Sequence, residues 1–399
     1  LQFLDFLARG LIGDSWLLVA GLLVLFTQLT ILSVTIYLHR AQAHRSCDLH
    51  PVVSHFFRFW LWLTTGMITK EWVAIHRKHH ARCETEEDPH SPQFHGIRKV
   101  LMEGAELYTV EGGNKATLEK FGRGTPDDWL ERNVYVRAHG TLGPTLMLFI
   151  SVALFGAVGV TFWALQMMWI PFFAAGVING LGHWWGYRSY ETPDTAHNIT
   201  PWGFFLGGEE LHNNHHAFPS SAKFSLKRWE FDLGWQALRG LEKLRLAKIL
   251  RVAPREPKPV DDDMEIDTDT IRAVLTHRLQ LLSGYWRDVI LPVIHDEARH
   301  TGVSLAKLRR ECRRLLRRDS RFLGQEKRER KAALLETWPK LATVYEYRAR
   351  LVAIWNQSTG NPGEVINALS EWCREAETSG IRALERYAAR LRRLVPATA

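Results

Sequence analysis

The stretch SWLLVAGLLVLFTQLTILSVTIYLHRAQAH, Ser15 to His44, decides what kind of protein this is. From Ser15 to Leu38 it carries no Asp, Glu, Lys or Arg for 24 residues, and it runs straight into His39 and His44. At about 1.5 Å per residue that is about 36 Å of helix, enough to cross a hydrocarbon layer of roughly 30 Å. A cleavable signal would be shorter, with a basic start and a small-residue cleavage site. The run is therefore expected to span a membrane and to carry chemistry at its end.

Working outward, residues 140–187 are uncharged for 48 residues, about 72 Å as helix, which predicts two spans with a turn over Trp163 to Pro171. That connection lacks Lys and Arg, whereas Arg132, Arg137 and Arg188 flank the hairpin. The positive-inside rule puts the hairpin's ends in the cytoplasm. Val52 to Ile68 is interrupted by His55 and Arg58 and is rich in aromatics such as Phe56, Phe57, Phe59, Trp60 and Trp62. Its charge-free part is too short to cross, so it reads as interfacial or re-entrant.

The chain's 399 residues allow two or three units at roughly 100–200 per domain. Its net charge of +8 is unevenly spread. Residues 271–399 hold 25 basic and 14 acidic side chains, against 26 and 29 in the preceding 270. With the Pro-rich Arg255 to Pro259 and the acidic Asp261 to Asp269 as linker, the expected division is a membrane domain over 1–260 and a basic, soluble helical extension over 261–399. In the latter, Leu305, Leu308, Leu315 and Leu316 have helical spacing amid Arg309, Arg310, Arg313, Arg314, Arg317 and Arg318. Gly302, Gly324 and Asn361-Pro362-Gly363 mark breaks between helices. Disordered, collagen-like and coiled-coil compositions are excluded. The four cysteines, Cys47, Cys83, Cys312 and Cys373, form no close pair, which argues against a disulfide scaffold or a CxxC knuckle.

Four motifs, all before residue 217, hold nine of the 18 histidines. They are His39-Arg-Ala-Gln-Ala-His44, His76-Arg-Lys-His79-His80, Asn179-Gly-Leu-Gly-His183 and His212-Asn-Asn-His215-His216. On an α-helix, positions i, i+3 and i+4 fall within about 100°, so each HxxHH triplet projects from one face, as do Asn179 and His183. His39 and His44 diverge by about 140° on a regular helix. They can serve one site by contacting two ions or if the helix ends between them. A single HxxHH is as often a polar surface as a ligand set; four such motifs beside span ends point to metal. One site demands all nine rings on one membrane face, hence an even number of crossings between motifs. Three spans satisfy this, with Val52 to Ile68 not crossing and the site cytoplasmic.

Imidazole suits zinc, copper, iron and nickel. A structural zinc site needs only four ligands, usually including Cys. Nine nitrogen ligands beside a bilayer, with no Asp or Glu at a ligand position, lead to the expectation of two redox-active irons that activate O₂ near a lipid chain. Zinc outcompetes ferrous iron on affinity, so purified protein is expected to be prone to carrying zinc or another ion.

Residues 15–225 resemble the membrane-bound fatty acyl desaturases, most of all the Δ9 acyl-CoA (stearoyl-CoA) desaturases, in a bacterial type. The likeness rests on His39-Arg-Ala-Gln-Ala-His-Arg-Ser46, Trp72-Val-Ala-Ile-His-Arg-Lys-His-His80, Glu84-Thr-Glu-Glu-Asp-Pro-His90, Asn179-Gly-Leu-Gly-His183 and Glu210-Leu-His-Asn-Asn-His-His-Ala-Phe-Pro219. It implies an all-α membrane fold of about three spans with a cytoplasmic helical cap. One iron would be held by His39, His80, His183, His212 and His216. The other would be held by His44, His76, His79 and His215, with Asn179 reaching it through a water. It further implies a cis double bond, Δ9, made in an acyl-CoA or phospholipid-linked chain. The electrons would come through a separate ferredoxin-, flavodoxin- or cytochrome-type donor with its NAD(P)H reductase. A bacterial inner-membrane location, with site and C-terminus cytoplasmic, follows from the same likeness.

The sequence departs from that pattern in having one span before the first motif, an unmatched stretch from Ser91 to about Asn133, and the basic tail. The departure after His90 leaves the acyl carrier open. For the tail, a solvated helical bundle, lipid docking and redox-partner docking all stand ahead of nucleic-acid binding. Glu71, Asp88, Glu209 and Glu210 are candidates for orienting imidazole N–H groups. Arg40, Arg45, Arg77, Lys78 and Arg188 read as interface anchors or as groups that steer an anion or an acidic donor. Two rival functions remain: a di-iron lipid or alkane hydroxylase, and a metal-binding membrane adaptor or transporter.

Overall fold

The computed structural model describes residues 2–12, 15–255, 257, 259, 265–356 and 362–395. The chain divides into two compact units, Leu1–Arg188 with Asp194–Ala253, and Ser189–Pro193 with Pro254–Ala399. Glu256, Lys258, the linker residues Asp261 to Met264, and Asn361 lie outside the described residues.

In the first unit a short α1 (Gln2–Arg9) precedes α2 (Trp16–Ala43). Ser15 caps α2 through the Leu18 N–H, and the last ten residues, Val34–Ala43, wind as π-helix. Next come α3 (Pro51–Thr65), ended by Gly66 in the left-handed region, and α4 (Thr69–Arg82). After α5 (Ile97–Gly112) the apolar hairpin follows as α6 (Leu142–Phe155) and α7 (Val158–Leu181). The short α8 (His212–Ala217) carries the last motif. Small ladders tie the loops: β1 (Cys47–Leu49) pairs antiparallel with β4 (Ala247–Ile249), and β2 (Trp202–Gly203) parallel with β3 (Phe231–Asp232).

The hairpin turns at Gly156, not over Trp163 to Pro171. Gly156 sits at φ +62°, where an added Cβ would meet the Ala8 backbone at 2.6 Å. Pro171 lies inside α7, at the first position of a π-helical stretch, Pro171–Ile178. A wider turn there suits a residue that has no N–H to donate. Of the three expected spans, α2 and α7 are long and apolar enough to cross a bilayer. At 14 residues α6 reaches only about 21 Å as helix. The Leu11 and Ile12 N–H groups bond the Ala153 and Leu154 carbonyls, satisfying acceptors that the end of α6 would otherwise leave open.

Helices α5 and α7 pack backbone to backbone. A Cβ on Gly104 would lie 2.7 Å from the Ala175 carbonyl oxygen, and one on Gly176 would lie 2.6 Å from that of Leu101. Arg40 and Arg77, beside the first two motifs, brace the fold from within, while Arg45 is exposed. Arg40 is fully buried, donates to both Asp232 oxygens (2.9 and 3.1 Å) and to the Ala222 carbonyl (2.8 Å), and lies over the Phe224 ring. Arg77 donates to the carbonyls of Gln42, Ala43, Phe121 and Arg123, and Lys78 pairs with Glu111. Arg188 donates to the Asp194 carbonyl. Each of these cations satisfies buried or half-buried oxygens that would otherwise be costly to desolvate.

The second unit is a helical bundle on one apolar core. Leu305–Leu316 buries Leu308, Cys312, Leu315 and Leu316 and turns Arg309, Arg310, Arg313 and Arg314 to solvent. Pro339–Asn356 contributes Leu341, Val344, Leu351 and Trp355, and Arg382–Arg392 contributes Leu384, Tyr387, Ala388 and Leu391. Trp372, on Pro362–Glu377, is fully buried and donates its Nε1–H to the Tyr347 carbonyl. Gly302 closes one helix and Gly324 precedes another, where the sequence placed breaks, and Pro362 opens a third.

Candidate metal centre

The first motif folds as no α-helix would allow. In the π-helical end of α2 the His44 N–H bonds the His39 carbonyl at 3.1 Å, an i to i+5 bond. Residues five apart therefore share a face, and the two rings lie 5.1 Å apart. The divergence expected for a regular helix does not occur. His76, His79 and His80 come from the last two turns of α4. The last motif sits on a six-residue helix, too short to be stable alone. Asn214 holds it in place by donating to the Phe224 carbonyl and to Glu230 and accepting from Asn198.

All nine histidines converge, in two neighbouring groups. The ligand nitrogens of His39, His44, His76, His80 and His215 lie within 4.8 Å of one another. His79, His183 and His216 form a second such group with Cys83, and His212 Nε2 is 2.9 Å from His183 Nε2. Stacking of His80 on His216, with centroids 4.4 Å apart, joins the groups. The partition differs from the one the resemblance implied: His39 and His80 belong with His44, His76 and His215, and His79 with His183, His212 and His216. The cause is local. His76 and His80 stand one turn apart in line along α4, while His79 leaves on the adjoining flank. Asn179 lines a cavity beside His39, His76 and His212.

Carboxylates grip the outer nitrogens. His39 Nδ1 lies 2.7 Å from Glu209, His79 Nδ1 2.9 Å from Asp88, His183 Nδ1 3.2 Å from Glu84 and His216 Nδ1 3.0 Å from Asp194. Holding the proton on Nδ1 turns the Nε2 lone pair inward, the usual tuning of a metal-binding histidine. Of the four acids singled out in the sequence, Asp88 and Glu209 do this. Glu210 instead accepts from the Leu206 and Gly208 N–H groups, and Glu71 faces the cavity. Glu84 lies within a matched stretch but was given no role, and Asp194, in a loop without periodicity, left no signal. His90 was also missed; it stacks on His79 with centroids 4.4 Å apart.

Burial and neighbouring imidazoles hold His76, His80, His212 and His215 well below the usual histidine range. Burial takes His216 down to about 3 despite Asp194. Burial also depresses His79, but Asp88 outweighs it and the net shift is upward. Neutral rings offer lone pairs. His216 Nε2, His212 Nδ1, His215 Nδ1 and His90 Nε2 are buried with no hydrogen-bond partner among the described residues. An inward ring of imidazole nitrogens, backed by four carboxylates, fits a pair of divalent cations.

A cavity of about 660 Å³ opens from the first group. Its walls are mainly apolar, with Val34, Ile68, Ile75, Ile170, Ala174 and Ile178 among them. Trp72, also in the wall, stacks on His76 at 4.9 Å.

Residues 14–245, over half of the chain, match the family model described as fatty acid desaturase. Residues 285–396 match a second model, described as transposase. Among curated relatives, Delta-9 acyl-lipid desaturase 1 of Arabidopsis thaliana is 32% identical over 54% of this chain and 70% of its own length. Delta-9 acyl-lipid desaturase 2 of the same plant is 30% identical over 55% and 71%. Icosanoyl-CoA 5-desaturase of Limnanthes douglasii is 29% identical over 57% and 63%. With a family model spanning most of the first unit, and two of these relatives at least 30% identical and matched over two thirds of their length, this chain belongs to the fatty acid desaturase family.

Proposed function

We propose that the first unit inserts a cis double bond, at Δ9, into a saturated acyl chain held in the apolar cavity. The observation that carries this is the cavity itself: an apolar slot of about 660 Å³ whose wall includes His39, His76, His212 and Asn179. That volume lies in the range of small-ligand sites, roughly 300–1,000 Å³. His39, His44, His76, His80 and His215 would hold one iron, and His79, His183, His212 and His216 the other, with Asn179 at the cavity side. Such a pair of irons would supply O₂ activation when bound, with two electrons coming from a separate donor protein. Two hydrogens leave adjacent methylenes, and with O₂, two electrons and two protons they balance as one alkene and two waters.

The chain's own residues do the positioning. Ile75, Trp72 and Ile170 press on the methylenes and exclude water, so that one pair of carbons faces the imidazoles. Asp88, Glu84, Glu209 and Asp194 fix the tautomers on which the ligand set depends. Both acyl-CoA and phospholipid-linked chains fit this reading, and the named relatives include an acyl-lipid and an acyl-CoA enzyme. We place the site on the cytoplasmic side of a bacterial inner membrane.

The test is expression in a host lacking its own desaturase, followed by gas chromatography and mass spectrometry of lipids and acyl-CoA. A cis-monounsaturated product absent from the empty-vector control is expected. A hydroxylated chain without alkene would establish the hydroxylase alternative instead. An unchanged lipid profile that leaves a tail-dependent cellular role intact would favour the adaptor.

A further inference from the structure

We propose that Cys83 is a sulfur ligand of the second metal, so that the two ions sit in unlike surroundings. One is faced by five imidazoles, the other by His79, His183, His216 and the Cys83 thiolate, with His212 beside His183. The inference deepens the metal-centre reading proposed above and rests on it.

Cys83 ends α4, four residues after His79, where the backbone leaves the helix at φ −50°, ψ 125°. That exit returns the side chain over the preceding turn, and Sγ lies 3.9 Å from His79 Nε2. Sγ and the ligand nitrogens of His79, His183 and His216 are all within 4.8 Å of one another. The thiol is free of any disulfide.

A second observation points the same way. The His216 side chain is 2% exposed, its Nδ1 is held by Asp194 at 3.0 Å, and its buried Nε2 has no partner among the described residues. His216 thus offers a ligand nitrogen to the same position as Cys83, His79 and His183. Three carboxylates, Asp88, Glu84 and Asp194, stand behind three of these imidazoles and offset the charge of a cation.

Imidazole nitrogens joined by one sulfur are an ordinary donor set for a divalent transition metal. On binding, the S–H bond breaks, its proton passes to the buffer, and the sulfur lone pair forms the bond to the metal. No electron is transferred.

The test uses the full-length protein in detergent, stripped of metal and titrated with cobalt(II). Wild type is expected to take up two cobalt ions and to develop a sulfur-to-cobalt charge-transfer band in the near ultraviolet that saturates with one of them. Cys83→Ser should keep both cobalt ions and their visible bands and lose the charge-transfer band. If Cys83→Ser does not fold, the triple variant Cys47→Ser, Cys312→Ser, Cys373→Ser takes its place. The band surviving in that variant assigns the sulfur to Cys83. Two bound cobalt ions in wild type without a sulfur band would overturn the inference and leave the metal centre standing. No bound cobalt would overturn both.

Discussion

Both units bury matched charges, as Arg40 and Asp232 show in the first, but among the described residues only the first also gathers buried imidazoles into one cluster. In the second, buried charges are matched within the bundle: Glu191 receives Arg317 and Arg348, and Lys331 donates to Ser320 and Tyr345. The first gathers nine imidazoles whose inner nitrogens face one another. Burying polar atoms without partners is costly. A fold that concentrates so many in one place is holding that place for a ligand, whereas paired charges scattered through an apolar core only hold a fold.

Three experiments would break or sharpen that contrast. The largest effect is expected for Trp372→Ala. Truncating a fully buried tryptophan should destabilise the second unit by about 3–5 kcal/mol, seen as an earlier unfolding or proteolysis of residues 265–395. Metal content of the first unit should not change, and a parallel loss of metal would show that the two interiors are not energetically separate. Next is Asp88→Asn, which keeps the shape and removes the charge behind His79. Metal affinity should fall about 10–100-fold, read by competition with a chelator, without a change in the thermal stability of the second unit.

The smallest effect concerns Glu131, which burial lifts to about 7 in spite of Arg58. Its folded pKa lies above its unfolded one, so the folded state holds the proton more tightly. The associated stability is fully present at low pH and is lost as pH rises from about 4.5 through 7. Between pH 7 and 8 the remaining loss is roughly 0.4 kcal/mol by linkage, and Glu131→Gln should remove that slope in thermal melts. In the second unit Asp319 is shifted the other way: burial would raise it, but the Arg321 backbone and side chain hold it low. A slope of equal sign in both units would erase this part of the contrast.

The spacing of histidines, which needs only helical periodicity, put forward the residues that converge in the fold, since HxxHH presents three rings from any α-helix. The same arithmetic failed for His39 and His44, because a π-helix has a period that composition does not announce. It failed again at the hairpin, where Gly156 turns the chain within an unbroken apolar run. Arg40 looked like a surface cation because its partner, Asp232, lies 192 residues away. Cys83 has no CxxC partner to mark it in the sequence. For Arg40 and for the turn at Gly156 the deciding neighbour is distant in sequence and close in space, whereas for His39 and His44 it is the winding of the helix itself.

The contact between Gly104 and the Ala175 carbonyl has a consequence for substrate range. Gly104 and Ala175 both line the cavity, and at that level the two helices meet through main chain. A side chain added at Gly104 or Gly176 would meet main chain of the facing helix, so it could be accommodated only by moving α5 and α7 apart and reshaping the wall they share. On the reading proposed above, the shape of an accepted chain is tied to these two glycines.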